Sequence, residues 1–201
     1  MIGRIVVSVG FLATLGLVMA QALQDCTAPP PPVSPKLCCP FMDQGSVFNE
    51  TIYETCWGRY AEFPMVPIPG GGLSGGPAGC AAECFFSALD FLIPRPQYTL
   101  VDFYAMDRHV KGIAAEDRYG FVREAMQYCV NEANVRAPIF AEIQRRPAVV
   151  EGLDNCNPIS GFTFSCMHVY AIRNCPNWTP DATEGCDELL DFYNQCPFNP
   201  Y

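Results

Sequence analysis

Apolar residues recur at helical spacing along most of the chain. From Ser46 to Tyr60 they fall at Val47, Phe48, Ile52, Cys56 and Tyr60, roughly one face of a helix. Phe63 to Gly79 holds four prolines and six glycines and reads as a loop. Helical character resumes over Cys80–Leu89, with Cys80, Cys84 and Ala88 on one side, until Ile93-Pro-Arg-Pro96 breaks it. Thr99, with Asp102 three positions on, resembles a capping box for a helix running to about Lys111 and stopped by Gly112. Ala114–Asn134 predicts a longer amphipathic helix carrying Phe121, Val122, Ala125, Met126, Cys129 and Val130. A short helix follows over Pro138–Arg146, then a turn near Gly152. Phe162–Asn174 is the next helix, and Thr179-Pro180 makes a cap-plus-first-turn pair for a last one bearing Cys186, Leu189, Leu190 and Tyr193. Alternation of the strand type is missing, so the predicted class is all-α, with about seven helices.

The two ends read differently. Arg4 followed by the apolar run Ile5–Met19, then small residues at Ala20 and Ala22, predicts a signal peptide cleaved after residue 20 or 22. The run is shorter than the ~20 residues of a spanning helix, so no membrane insertion is expected. Residues 23–45 are proline-rich and should form an extended segment held down by Cys26, Cys38 and Cys39, with a helical domain over 46–201. Twelve Lys and Arg stand against twenty-one Asp and Glu, and removing Arg4 leaves −10. An acidic surface lacks the basic footprint that a nucleic acid or an anionic membrane requires.

All twelve cysteines (Cys26, Cys38, Cys39, Cys56, Cys80, Cys84, Cys129, Cys156, Cys166, Cys175, Cys186 and Cys196) lie in the mature chain, and in an oxidising compartment they allow six disulfides. Cys-x2-Cys is missing, which argues against zinc and redox chemistry alike; no metal and no cofactor is expected. Cys38 and Cys39 should tie the N-terminal segment to two different elements. The stretch Cys156-x9-Cys166-x8-Cys175-Pro176-x9-Cys186 stands at the centre. Nine positions along a helix turn by ~180° after whole turns, which puts Cys166 and Cys175 on opposite sides. A helix so cross-linked is a strut between two neighbours, stopped by Pro176.

The full spacing is Cys56-x23-Cys80-x3-Cys84-x44-Cys129-x26-Cys156-x9-Cys166-x8-Cys175-Pro176-x9-Cys186. It closely resembles the Plus-C subgroup of insect odorant-binding proteins, including the proline after Cys175. The likeness covers roughly Cys38 to Cys196. It implies a compact, disulfide-stapled α-helical bundle around an apolar cavity, and a secreted carrier of small hydrophobic odorants or related signals. It also implies the pairs Cys56–Cys84 and Cys80–Cys166, with Cys175 joined to either Cys129 or Cys156. The candidate ligand-binding residues are apolar ones on inward helix faces: Phe85, Leu89, Phe103, Met106, Val110, Phe121, Met126, Met167 and Tyr170. Methionines suit an adaptable pocket, although buried aromatics and methionines are more often plain core.

Enzyme readings find little support, and no catalytic residue is assigned. Gly72-Leu-Ser-Gly-Gly76 fits Gly-x-Ser-x-Gly, but loop flanks it on both sides where a nucleophile elbow needs a strand and a helix. His109 and His168 each precede Val and lack a catalytic context; as residues that titrate near ~6.5 they could tune ligand release with pH. Asn49-Glu-Thr51 and Asn177-Trp-Thr179 are glycosylation sequons. A second function class stays open: a secreted interaction or inhibitor protein acting through the Phe63–Gly79 loop. The choice between monomer and homodimer also stays open.

Overall fold

A computed structural model describes residues 26, 28–39, 50–63, 76–148, 150–153 and 155–196. The expected signal peptide, Asn49, the start of the expected Ser46 helix, most of the Gly72–Gly76 motif and of the Phe63–Gly79 loop, and Pro197–Tyr201 lie outside these residues. Among the described residues there are eight α-helices: α1 (Pro35–Cys38), α2 (Glu50–Tyr60), α3 (Pro77–Ala88), α4 (Phe103–Ile113), α5 (Glu116–Val135), α6 (Ala137–Gln144), α7 (Pro158–Arg173) and α8 (Cys186–Gln195). A 3-10 turn, Pro180–Ala182, precedes α8. The fold is compact and all-α, with one small exception described below. None of the described helices is long and apolar enough to cross a membrane.

Helix α7 is the strut that the cysteine ladder predicted. Asn157 caps it, its Oδ1 accepting from Ile159 N at 3.0 Å, and Pro158 occupies the first turn, where a missing N–H costs nothing. Apolar residues surround the helix. Ile159, Cys166 and Met167 face the main core, while Val169 and Ile172 face a second, smaller one with Leu189, Phe192 and Tyr193 of α8. The helix accordingly packs on α3 and α5, and also on α6 and α8.

The exception is an antiparallel pair, β1 (Leu92–Pro94) with β2 (Thr99–Val101), in register Leu92–Val101, Ile93–Leu100 and Pro94–Thr99. It corrects the capping-box reading. Thr99 lies in a strand, and Asp102 alone is the cap of α4: its Oδ1 accepts from Tyr104 N at 2.9 Å and Ala105 N at 3.0 Å. One carboxylate satisfies two of the orphan N–H groups at the helix start, so the helix needs no threonine upstream. The helix also runs past Gly112 to Ile113.

All twelve cysteines are paired. Cys56 joins Cys84 and ties α2 to α3. Cys80 joins Cys156, not Cys166. The reason lies in how α7 begins: the N–H of its cap Asn157 donates to Glu83 Oε2 of α3 at 2.9 Å, which brings Cys156 beside the first turns of α3. Cys166, farther along α7, faces α5 and joins Cys129 there. Cys175 takes neither Cys129 nor Cys156 but Cys39. It sits beyond the last residue of α7, where the chain has left α5 and the N-terminal segment runs alongside. Thr179 holds that segment, its N–H and hydroxyl both donating to Cys38 O, at 2.8 and 3.0 Å. Cys38 joins Cys186 of α8, so the neighbouring cysteines do bind different elements. Cys26 joins Cys196.

Candidate ligand-binding site

The nine candidate residues come from α3 and its C-terminal cap Leu89, and from α4, α5 and α7, and eight of them meet in the main core. Phe85, Met106, Val110 and Met126 are at most 1% exposed; Met167 is buried, and Leu89, Phe103 and Tyr170 are partly buried against the same cluster. Phe121 stands at the edge, its ring 6.1 Å from that of Tyr170. Phe85, Met106, Val110 and Met126, with so little exposure, border no void of water size, so the interior around these four is filled rather than hollow. The filling is soft. Three methionines, Met106, Met126 and Met167, lie in this cluster, and each has an unbranched chain that can re-pack around a guest.

The sequence reading missed much of the aromatic wall. Phe86 lies 5.0 Å from Phe164 and 5.6 Å from Phe91, edge-on in both cases, and Phe85 is 5.5 Å from Phe164. Such offset and edge-to-face contacts are favourable beyond the area they bury. Phe164 of the strut belongs to this wall, whereas Phe162, two positions earlier, faces Phe140 at 5.3 Å. Phe103 lies beneath the Arg123 guanidinium at 5.5 Å, and Arg123 Nε also pairs with Asp107 at 3.2 Å, which fixes α4 against α5.

Among the described residues, two clefts open to solvent around this core. One, of about 490 Å³, lies between α2 and α3 and is lined by Arg59, Tyr60, Glu83, Ser87 and the two cysteines of α3. Burial pushes the Glu83 carboxyl above its ordinary value, and the hydrogen bond from Asn157 N opposes that shift. The other, of about 240 Å³, lies on the seam of α5 and α7 and is lined by Tyr128, Cys166, Val169, Tyr170, Arg173 and Asn174. Only Tyr170 of the nine candidates lines either cleft, and it also packs on the main core. Loss of solvent, with Glu124 beside it, raises the Tyr170 phenol pKa.

The histidines stand apart from both clefts. His109 has its ring 5.5 Å from Phe91 and its Nε2 shut off from solvent; burial lowers its pKa. His168 keeps an exposed edge while its ring lies 6.3 Å from Tyr193, and the solvent it has lost lowers its pKa too. Asn177 is exposed in the turn after α7.

The staples, the central strut and the aromatic core make a specific set. The AgamOBP47-like family profile matches residues 45–192, most of the chain. The chain belongs to the AgamOBP47-like family. Odorant-binding protein 47 of Anopheles gambiae is 26% identical over 203 aligned positions, covering 94% of this chain and 81% of that protein. The twelve cysteines fit the Plus-C pattern within this AgamOBP47-like group.

Proposed function

We propose that the protein is a secreted carrier of small hydrophobic molecules of the odorant or semiochemical class. In this reading residues 1–22 are a leader removed on secretion, residues 23–45 are the disulfide-tethered segment, and 46–201 form the carrier domain. The ligand lies among Phe85, Leu89, Phe103, Met106, Val110, Phe121, Met126, Met167 and Tyr170. The observation that carries the reading is the double position of Tyr170, which borders a solvent-facing cleft and packs on the apolar core. Membership of the AgamOBP47-like family and the likeness to a mosquito odorant-binding protein support it. Six disulfides and no free thiol suit an extracellular setting.

The staples matter to binding as well as to folding. Covalent ties between helices hold the frame while methionines move, so admitting a guest does not unfold the bundle. A ligand burying about 300 Å² of apolar surface at ~25 cal/mol per Å² gains about 7 kcal/mol before ordering costs. That gross gain corresponds to a Kd on the order of 10 μM, and ordering costs set the affinity at that level or weaker, far from nanomolar. Displacement of a fluorescent apolar probe, N-phenyl-1-naphthylamine, by volatile ketones, esters and hydrocarbons tests the reading. Saturable probe binding with displacement supports a carrier; a probe that never binds points to an interaction or inhibitor protein instead.

A further inference from the structure

We propose that the cleft on the α5–α7 seam is the head-group end of the ligand site, and that it selects a neutral carbonyl (ketone, aldehyde or ester) on an apolar body. This rests on the carrier reading and adds to it the chemistry of the ligand. At about 240 Å³ the cleft falls below the roughly 300–1,000 Å³ of pockets that enclose whole ligands, so it seats one end of a molecule. Its walls are the rings of Tyr128 and Tyr170, with centroids 5.5 Å apart and planes tilted by 40°. Its floor is Cys166, bonded to Cys129 and part of the main core. A chain leaving the cleft along Tyr170 passes the ring of Phe121 or the main core, since Tyr170 packs on both.

The donor at the rim is Arg173. Its Nε donates to Asn194 Oδ1 at 3.4 Å, and no other contact of the guanidinium is recorded among the described residues. Asn174 also lines the rim but is neutral and anchored, one N–H of its Nδ2 donating to Tyr170 O at 2.9 Å. A ligand oxygen that accepts from Arg173 therefore gains a charge-assisted hydrogen bond. The surroundings decide against a free carboxylate. Loss of solvent apart, the Glu124 carboxylate stands close enough to Tyr170 to raise its phenol pKa, the negative end of the α7 dipole falls here, and the chain carries a net charge of −9. An anion meets three unfavourable fields and one favourable partner. A neutral carbonyl keeps the partner and avoids the repulsion.

The test uses the full oxidised chain and three compounds of equal chain length, 2-undecanone, undecanoate and undecane, competing with N-phenyl-1-naphthylamine. The ketone is expected to displace the probe at roughly tenfold lower concentration than the hydrocarbon, as one such hydrogen bond allows. Undecanoate should be weaker than the ketone. Arg173 is exposed at a helix end, so Arg173→Met should fold, as read by an unchanged far-UV spectrum and melting curve. It should cut the ketone-to-undecane ratio, each measured against the variant's own probe affinity, to within about twofold; Arg173→Lys, which keeps a donor, should retain part of the advantage. A ketone no tighter than undecane, an acid tighter than the ketone, or an advantage that survives Arg173→Met overturns the head-group assignment while leaving the carrier intact. A probe that does not bind, with none of the three compounds binding by direct calorimetry, overturns both.

Discussion

The carboxamide of Asn134 and the backbone of Val101 satisfy each other twice: Val101 N donates to Asn134 Oδ1 at 2.8 Å, and Asn134 Nδ2 donates to Val101 O at 3.0 Å. The side chain of a helical residue thus replaces the missing neighbour of a strand edge. The edge of β2 is thereby covered, and the chain is held extended up to Asp102, where α4 begins. Without that cover, a buried backbone donor and acceptor would lose their partners together. Asn134→Ala should cost about 2 kcal/mol in urea unfolding, the penalty expected when partly buried polar groups are orphaned. A loss under about 0.5 kcal/mol would mean that solvent reaches these groups and that the pairing is incidental.

Gly185 is fixed by a different constraint. Its φ is +92°, and a Cβ placed there would stand 2.6 Å from Val33 Cγ2. The residue is the cap of α8 and lies next to Cys186, so the N-terminal segment closes over it through Cys38–Cys186. Gly185→Ala combines a left-handed backbone cost of ~1 kcal/mol with a steric overlap, and should lower stability by about 2 kcal/mol or more. Val33→Ala in the same chain should recover the steric part, and a thermal-unfolding cycle of the two variants measures the coupling.

The third prediction concerns the nested staples. Cys26 and Cys196 are separated by 170 residues, and a loop of that size would be worth about 5 kcal/mol in the chain-entropy picture. Cys38–Cys186 lies just inside it, so the loop that Cys26–Cys196 closes is only about two dozen residues long. The expected contribution falls to about 3 kcal/mol. Cys26→Ser with Cys196→Ser should therefore cost no more than a short-loop disulfide such as Cys56–Cys84, which spans 28 residues. A loss near the long-loop figure would show that the two clasps do not form together.

How much of this was readable beforehand depends on the range of the interaction. The strut was legible because Pro176 and the spacing from Cys156 to Cys186 are local, and α7 does run through the middle of the fold. Which staples join was not. The choice of Cys156 over Cys166 for Cys80 depends on where α7 starts against α3, and a hydrogen bond across 74 positions settles that. Strands of three residues are too short for alternation to show, and the partner that holds β2, Asn134, lies 33 positions away. Helical periodicity found the inward faces of Phe85, Met106 and Met126, yet a period of 3.6 is the same for a wall around a void and for a packed core. Tyr128 and Arg173 had no sequence signature, because the cleft they line exists only once α5 and α7 lie side by side.

The last prediction is a pH dependence with two opposed parts. Burial of His109, and the partial loss of solvent at His168, which keeps an exposed edge, lower both pKa values from the ordinary 6.5, so the unfolded chain takes up protons first. Their contribution to stability is complete above about 6.5 and is lost as pH falls through that value toward their folded pKa values. Glu83 runs the other way. Burial lifts its carboxyl above the ordinary 4.5, so its contribution is complete below 4.5 and is lost as pH rises through its folded value. Melting temperature should therefore fall between pH 7.5 and 5.5, and His109→Phe should flatten that fall, because the edge-on contact with Phe91 needs no ring nitrogen. Glu83→Gln keeps an oxygen for Asn157 N without the buried charge, so it should raise the melting temperature at pH 7 and give no gain at pH 4. Melting curves of His109→Phe that fall with acid as steeply as those of the parent chain would leave His168 as the group responsible, and His168→Gln would then have to flatten them.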